Sequence, residues 1–245
     1  NATLVIVGDI QPEAALKEIQ ETFGKIPPGP EPPPFRALEP PQQGERLTEL
    51  TREAQLPAVF IAYHTPNLED QDAYALEVLS LILSQGRSSR LQRRLIYEQK
   101  LALDAGASYE FATASPSLMV FYAQPLPGKP LDRLEAALEA EIDRIKAQPV
   151  SAQELAKAKN QTEAAFIMSQ DSLFYRGMLL GRYQTIGNWK KLNEIVPGVR
   201  AVTAADVQRV AKKYLVNTNR TLGRLHPLPP TRPTSERFTP HEQVR

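Results

Sequence analysis

The sequence contains no cysteine, which excludes disulfide staples, thiolate metal sites and cysteine nucleophiles together. Histidine is nearly as scarce. The three present, His64, His226 and His241, lie too far apart in the chain to place two imidazoles on one helical face. No apolar run approaches the roughly 20 residues a membrane-spanning helix needs. An excess of one charge is lacking too: 29 basic against 28 acidic side chains leave +1, which gives nucleic acid or an anionic membrane nothing to grip. What is present is a hydrophobic content of 42%, ordinary for a packed globular core, and 22 prolines, densest between residues 27 and 41 and beyond residue 227.

The prolines divide the chain. Thr3 to Val7 is a β-branched and leucine run expected to form a strand covered on both faces, turned by Gly8-Asp9. Pro12 sits at a permitted first helical turn, and Ala15, Leu16, Ile19 and Phe23 supply an apolar helical face. Residues 1–26 thus read as a strand–helix unit with no sheet of its own, although the strand could instead join the downstream sheet. Residues 27–44 read as a proline-rich linker, 45–226 as a second α+β domain, and 227–245 as a proline-rich tail. The chain opens directly on a strand pattern, so it is expected to be a piece of a longer polypeptide.

Within the second domain, Arg46 to Thr51 alternates like a half-buried strand and Pro57 to His64 reads as a more buried one, the two expected to pair. From Asp72 to Leu83, Ala75, Val78, Leu79, Ile82 and Leu83 share a helical face. That helix breaks at Gly86, and Ser88 or Ser89 is placed to cap a second, basic helix from Arg90 to Gln99. Strands follow at 105–111 and 118–123 as a hairpin. Helices are expected from Pro130 to Pro149, from the Ser151–Glu154 capping box to Met168, from Leu173 to Ile186 with Gly177 and Gly181 open to a close neighbour, and from Thr203. A last strand is expected at 221–225.

The turn Gly86-Arg87-Ser88-Ser89-Arg90-Leu91 between a helix and a basic helix resembles the Gly-x-x-Ser-Arg-Leu turn of the insulinase/pitrilysin family of zinc metallopeptidases. In that family the turn lies in the second, non-catalytic homologous domain. The segments 181–187 and 202–210 resemble the family's pre-terminal helices, so the likeness spans residues 1 to about 226. It implies an α+β fold of the mitochondrial processing peptidase type, a mixed or antiparallel sheet with helices on one face. It also implies that residues 1–26 close a catalytic first domain.

The family's zinc device, His-x-x-Glu-His, is absent here: three residues after His64 stands Asn67. No catalytic or metal-binding residue is therefore assigned and no cofactor is expected in this chain, zinc being expected in the missing N-terminal domain or a partner. The family's arginine and, seven residues on, tyrosine that hold substrate are replaced by Ile96 and Leu103. Gly86, Ser88, Ser89 and Arg90 remain as candidates for a substrate-chamber or interface role. Arg87, Arg90, Arg93 and Arg94 read as a solvated or interdomain face, with Glu98 four residues beyond Arg94 as its partner. The resemblance implies a non-catalytic half that walls a chamber for unfolded peptide, joined to a catalytic domain or homologous subunit, with neither nucleic acid nor a membrane span. The alternative is an inactive family member serving as a structural subunit. By likeness to paired bacterial members, a periplasmic or secreted setting is expected over the cytoplasm.

Overall fold

A computed structural model describes residues 2–30 and 40–228; the middle of the proline linker, the tail from residue 229 and His241 lie outside the described residues. One five-stranded sheet organises the domain: β1 (Arg46–Glu53), β2 (Ala58–Thr65), β3 (Ala102–Tyr109), β4 (Ser117–Pro125) and β5 (Arg220–Leu228), in the order β1-β5-β2-β4-β3. β3 and β4 form the expected hairpin. β1 and β2, expected to pair, do not. β5 lies between them, parallel to β1 and antiparallel to β2. β1 is consequently an edge strand exposed along its whole length, not half-buried.

The helices are α1 (Pro12–Thr22), α2 (Asp72–Ser84), α3 (Leu131–Ala147), α4 (Ala152–Ser169), α5 (Leu173–Ile186), α6 (Ile195–Ala201) and α7 (Ala204–Tyr214). α2, α3 and α7 pack on one face of the sheet. Alternation along the strands decides which side chains meet them: Val59, Ile61 and Tyr63 of β2 and Met119, Phe121 and Ala123 of β4 point inward and are buried. Tyr63 meets Phe121 edge to face at 5.9 Å, and its burial pushes the phenol up to about 12. α2 is hydrophobic nearly all round because it is sandwiched in the helical layer; Leu76, Val78, Leu79 and Leu83 are fully buried.

Both capping boxes form. The Ser151 and Thr203 hydroxyls accept the N–H groups of Glu154 and Asp206, whose carboxylates accept in return. α3 runs between Pro130 at its N-cap and Pro149 just beyond it, with Leu134, Leu138, Ile142 and Ile145 inward. On the helical side, Arg224 donates from Nε and Nη2 to Glu135 of α3, both at 2.7 Å, and Arg220 pairs with Glu139 and Glu45. These bidentate contacts clamp β5 to α3.

Residues 3–7 form an extended segment and not a strand, and they do not join the five-stranded sheet. The segment instead lies along α5. Val7 Cγ2 and Val5 Cγ2 come within 3.6 and 3.7 Å of the points where side chains on Gly177 and Gly181 would begin. Those two glycines thus receive a close neighbour, as their spacing implied. Leu4 and Ile6, on the other side of the segment, are about half exposed, at 54% and 46%. In α1, Ala15 and Ile19 are half-buried while Leu16 and Phe23 face solvent.

Candidate functional site

The segment after α2 carries the residues singled out from the sequence. Gly86 turns the chain with φ +79°, a left-handed conformation that a β-carbon disfavours. The expected α-helix from Arg90 to Gln99 is instead a single helical turn leading into a π-helix, Gln92–Glu98. Its wider winding ends with the N–H of Gln99 on the carbonyl of Arg94 and that of Leu101 on Leu95. It keeps both Leu91 and Leu95 fully buried.

Neither serine caps this helix. The Ser88 hydroxyl accepts from Lys157 Nζ at 2.7 Å, so it faces α4. The Ser89 hydroxyl is buried with no partner, while its backbone carbonyl accepts the Arg93 N–H. Arg90, only 12% exposed, donates from Nε (2.7 Å) and Nη2 (3.0 Å) to Glu154 in the first turn of α4. That guanidinium, with the Ser151 hydrogen bonds, holds the Glu154 carboxyl down to about 2. The structure therefore gathers Gly86, Ser88, Ser89 and Arg90 against α4, on the helical side of the sheet.

Of the rest of the basic cluster Arg87 is exposed, while Arg93 and Arg94 are paired but incompletely satisfied. Arg94 reaches Glu98 at 3.2 Å, as its spacing implied, and Arg93 reaches the same carboxylate at 3.4 Å. Arg144 of α3 pairs with Glu141, whose side chain is 1% exposed. Between the π-helix, the end of α3 and the start of α4 these groups line a polar cleft of about 320 Å³. Its acidic and arginine members from α3 carry no local sequence signal, because the three walls meet only in the fold.

The centre of the opposite face of the sheet is aromatic. Register sets Gly223 beside Phe60, Phe60 beside Tyr122 and Tyr122 beside Gly106. A β-carbon on Gly106 would lie 2.5 Å from the Tyr122 hydroxyl, so the ring lies over the glycine. Phe60 (48%) and Leu118 (41%) are exposed on this face, with Ala62, Val120 and Tyr122 half-covered among them. Alternation in β2 and β4 would have found this row, since both strands are apolar on both faces. Ile96 is packed against the core, whereas Leu103 is half exposed on β3.

His64 sits half-buried in β2, and His226 is exposed in β5. Among the described residues no group of three or more His, Cys, Asp or Glu side chains converges to hold a metal ion, so zinc does not fit the residues described and no chemistry is derived through it. Nor, among those residues, is any helix long and apolar enough to cross a membrane.

The fold and its surfaces define a class: an α+β half-unit with a helix-covered sheet face and an open, apolar one. The family model described as the peptidase M16 inactive domain matches residues 1–162, and the chain belongs to that family. It is 26% identical over 231 residues to the zinc protease PqqE of Helicobacter pylori, covering 93% of this chain and 52% of that protein. A solved protease structure from Helicobacter pylori superposes with a TM-score of 0.82 at 25% identity, over 90% of this chain and 54% of that one. The inactive peptidase domain of a zinc protease from Bordetella parapertussis gives 0.67 at 29% identity, over 76% and 98%. The chain thus spans about half the length of the curated relative it matches.

Proposed function

We propose that this chain is the non-catalytic half of an M16 zinc peptidase and that the open face of its sheet forms one wall of the chamber that holds unfolded peptide. The observation that carries the reading is the row Gly223, Phe60, Tyr122, Gly106: Phe60 is left half exposed and the Tyr122 ring lies across Gly106, an apolar strip against which an extended chain can lie. In this reading zinc and its general base belong to a catalytic N-terminal domain or a homologous partner subunit. Residues 1–26 close that other half, 27–44 act as its linker, the domain proper runs from 45 to 226 and the tail from 227 to 245. Gly86, Ser88, Ser89 and Arg90 serve the interface by fixing α4. The setting is periplasmic or secreted, in keeping with paired bacterial members of the family.

The test is reconstitution with a catalytic half carrying His-x-x-Glu-His and measurement of unfolded-peptide cleavage. Cleavage is expected only with both halves present, and Phe60→Asp should lower kcat/KM by about tenfold, the worth of a partly buried aromatic contact, when measured well below the variant's own Tm. Unaltered cleavage by Phe60→Asp would exclude the open face as a substrate wall. It would favour the second reading, an inactive family member acting as an assembly subunit.

A further inference from the structure

The cleft between the π-helix, α3 and α4 is walled by helices alone, so it is separate from the open sheet face. Its chemistry is unusual in being unsatisfied in both directions. Arg94 Nε, a donor, and Glu141 Oε2, an acceptor, are each buried with no hydrogen-bond partner. The two side chains approach only to 4.0 Å, from Arg94 Nε to Glu141 Oε1, beyond hydrogen-bond reach. Buried polar groups are satisfied as a rule, by protein, water or a ligand, so orphans of both kinds beside one cleft mark a place for a bound group that both accepts and donates.

The charge selects its sign. Arg90 is committed to Glu154, but Arg93 and Arg94 share the single carboxylate of Glu98, and Arg144 offers Glu141 only one of its nitrogens. Unused guanidinium donors therefore remain, and the N-terminus of the 18-residue helix α4, with Gln153 in its first turn, adds its positive end. An anion is favoured, yet Glu141 would repel one that can only accept. We propose that this cleft binds a phosphate group that still carries a proton, its bare oxygens accepting from Arg93, Arg94 and Arg144 and its hydroxyl donating to Glu141. Inorganic phosphate and a small phosphate monoester share this chemistry; sulfate has the same shape but no proton to give.

The test follows the arginine Nε–Hε signals of the chain by NMR at pH 6, near the second pKa of a phosphate monoester (~6), at constant ionic strength. Inorganic phosphate, glycerol phosphate and sulfate are titrated separately. Saturable shifts at Arg93, Arg94 and Arg144 are expected with phosphate and not with sulfate. Saturation by inorganic phosphate alone identifies the free ion, and saturation by both identifies a monoester-tolerant site. Gln153→Glu adds a negative charge where the dipole of α4 tolerates it, so the fold is retained while the midpoint should rise roughly tenfold. Sulfate saturating like phosphate, unsaturable shifts spread over arginines elsewhere, or an unmoved midpoint in Gln153→Glu would each overturn the proposal.

Discussion

Replacing Glu154 by alanine removes the carboxylate that joins the π-helix to α4. Its Oε2 accepts the Ser151 N–H at 2.9 Å and the Ser151 hydroxyl at 2.8 Å, and both oxygens engage Arg90. The reciprocal cap, Ser151 Oγ on the backbone N–H of residue 154, survives the substitution, so the capping loss is about 0.5–1 kcal/mol. The greater cost falls on Arg90, which at 12% exposure is left without its counter-ion, a penalty of about 1–3 kcal/mol. Together they predict a loss of about 2–4 kcal/mol in urea unfolding at pH 7. For a chain of this length that is a fall in Tm of roughly 5–15 °C.

Acid should erase the difference. A carboxyl held below its unfolded value stabilises the fold above the ordinary glutamate range, and that stability is lost as pH falls from 4.5 to about 2. Unscreened, the depression corresponds to about 3 kcal/mol. Water around a side chain 28% exposed screens this to about 1–2 kcal/mol, near the lower end of the loss expected from the broken contacts. Circular dichroism during urea titration at pH 7, 5, 3 and 2 measures both quantities. A deficit below about 0.5 kcal/mol at pH 7, or one that persists undiminished at pH 2, would refute the assignment of Glu154 as the joint between these elements.

Asp72→Asn should cost about 2–4 kcal/mol at neutral pH, since the carboxylate, 8% exposed, accepts from Arg209 and Lys213 at 2.7 Å and from Tyr214 at 2.9 Å. Burial raises the Asp72 pKa, but the Lys213, Arg209 and Tyr214 hydrogen bonds outweigh it and leave the value lowered, so this increment should fade in acid unfolding curves. Gly198→Ala should destabilise by about 1–3 kcal/mol, because its β-carbon would lie 2.6 Å from the buried Tyr74 ring; Tyr74→Ala in the same chain should relieve the clash in a double-mutant cycle. Glu77 carries the opposite sign: burial, aided by Glu110, pushes its carboxyl up to about 7. The folded state then binds the extra proton, so stability should fall as pH rises from 4.5 to 7, and Glu77→Gln should flatten that slope in denaturation series.

Local signals were legible in the sequence where one residue dictates one local geometry. Ser151 with Glu154, Thr203 with Asp206, the prolines bracketing α3 and the apolar stripe of α2 each act within a few residues, and each forms. Partner choice among strands is different. β1 and β2 are joined by only a few residues and could pair by sequence pattern alone, yet β5, which begins at residue 220, takes the place between them. There Leu222 enters the core and Arg220 and Arg224 meet Glu139 and Glu135 on α3, contacts that no local window contains. The π-helix was illegible because an α-helix would also put Leu91 and Leu95 on one buried face, so their spacing does not tell the two apart. In the same way the candidates Ser88, Ser89 and Arg90 could be found as a turn, but not the contacts of Ser88 with Lys157 and of Arg90 with Glu154 of α4.

The two sides of the domain are held together by different means. The sheet is fixed by ladders on both sides of β5, β2 and β4, by an aromatic and aliphatic inner layer, and by the guanidinium clamps from β5 to α3, so the open face presents Phe60 and Tyr122 on a stiff backbone. Helices α4 and α5 bury far less: Ala158 is the buried residue of α4 and Tyr183 that of α5, while Phe174 and Met168 stand 80% and 73% exposed. Few buried apolar contacts mean a lower free energy of local opening. Ion pairs and hydrogen bonds along α4, Arg90 to Glu154, Lys157 to Ser88 and Arg200 to Glu163, therefore do for that helix what burial does for the sheet. The extended segment at residues 3–7 rests on α5 through Val5 and Val7 against Gly181 and Gly177, and α5 in turn reaches the end of β3 through Arg182, which pairs with Glu110 at 2.8 Å and donates to the Ala112 carbonyl at 3.1 Å. If the proposed reading holds, the sheet would supply the rigid wall and the less buried helices α4 and α5 would take up motion of the other half.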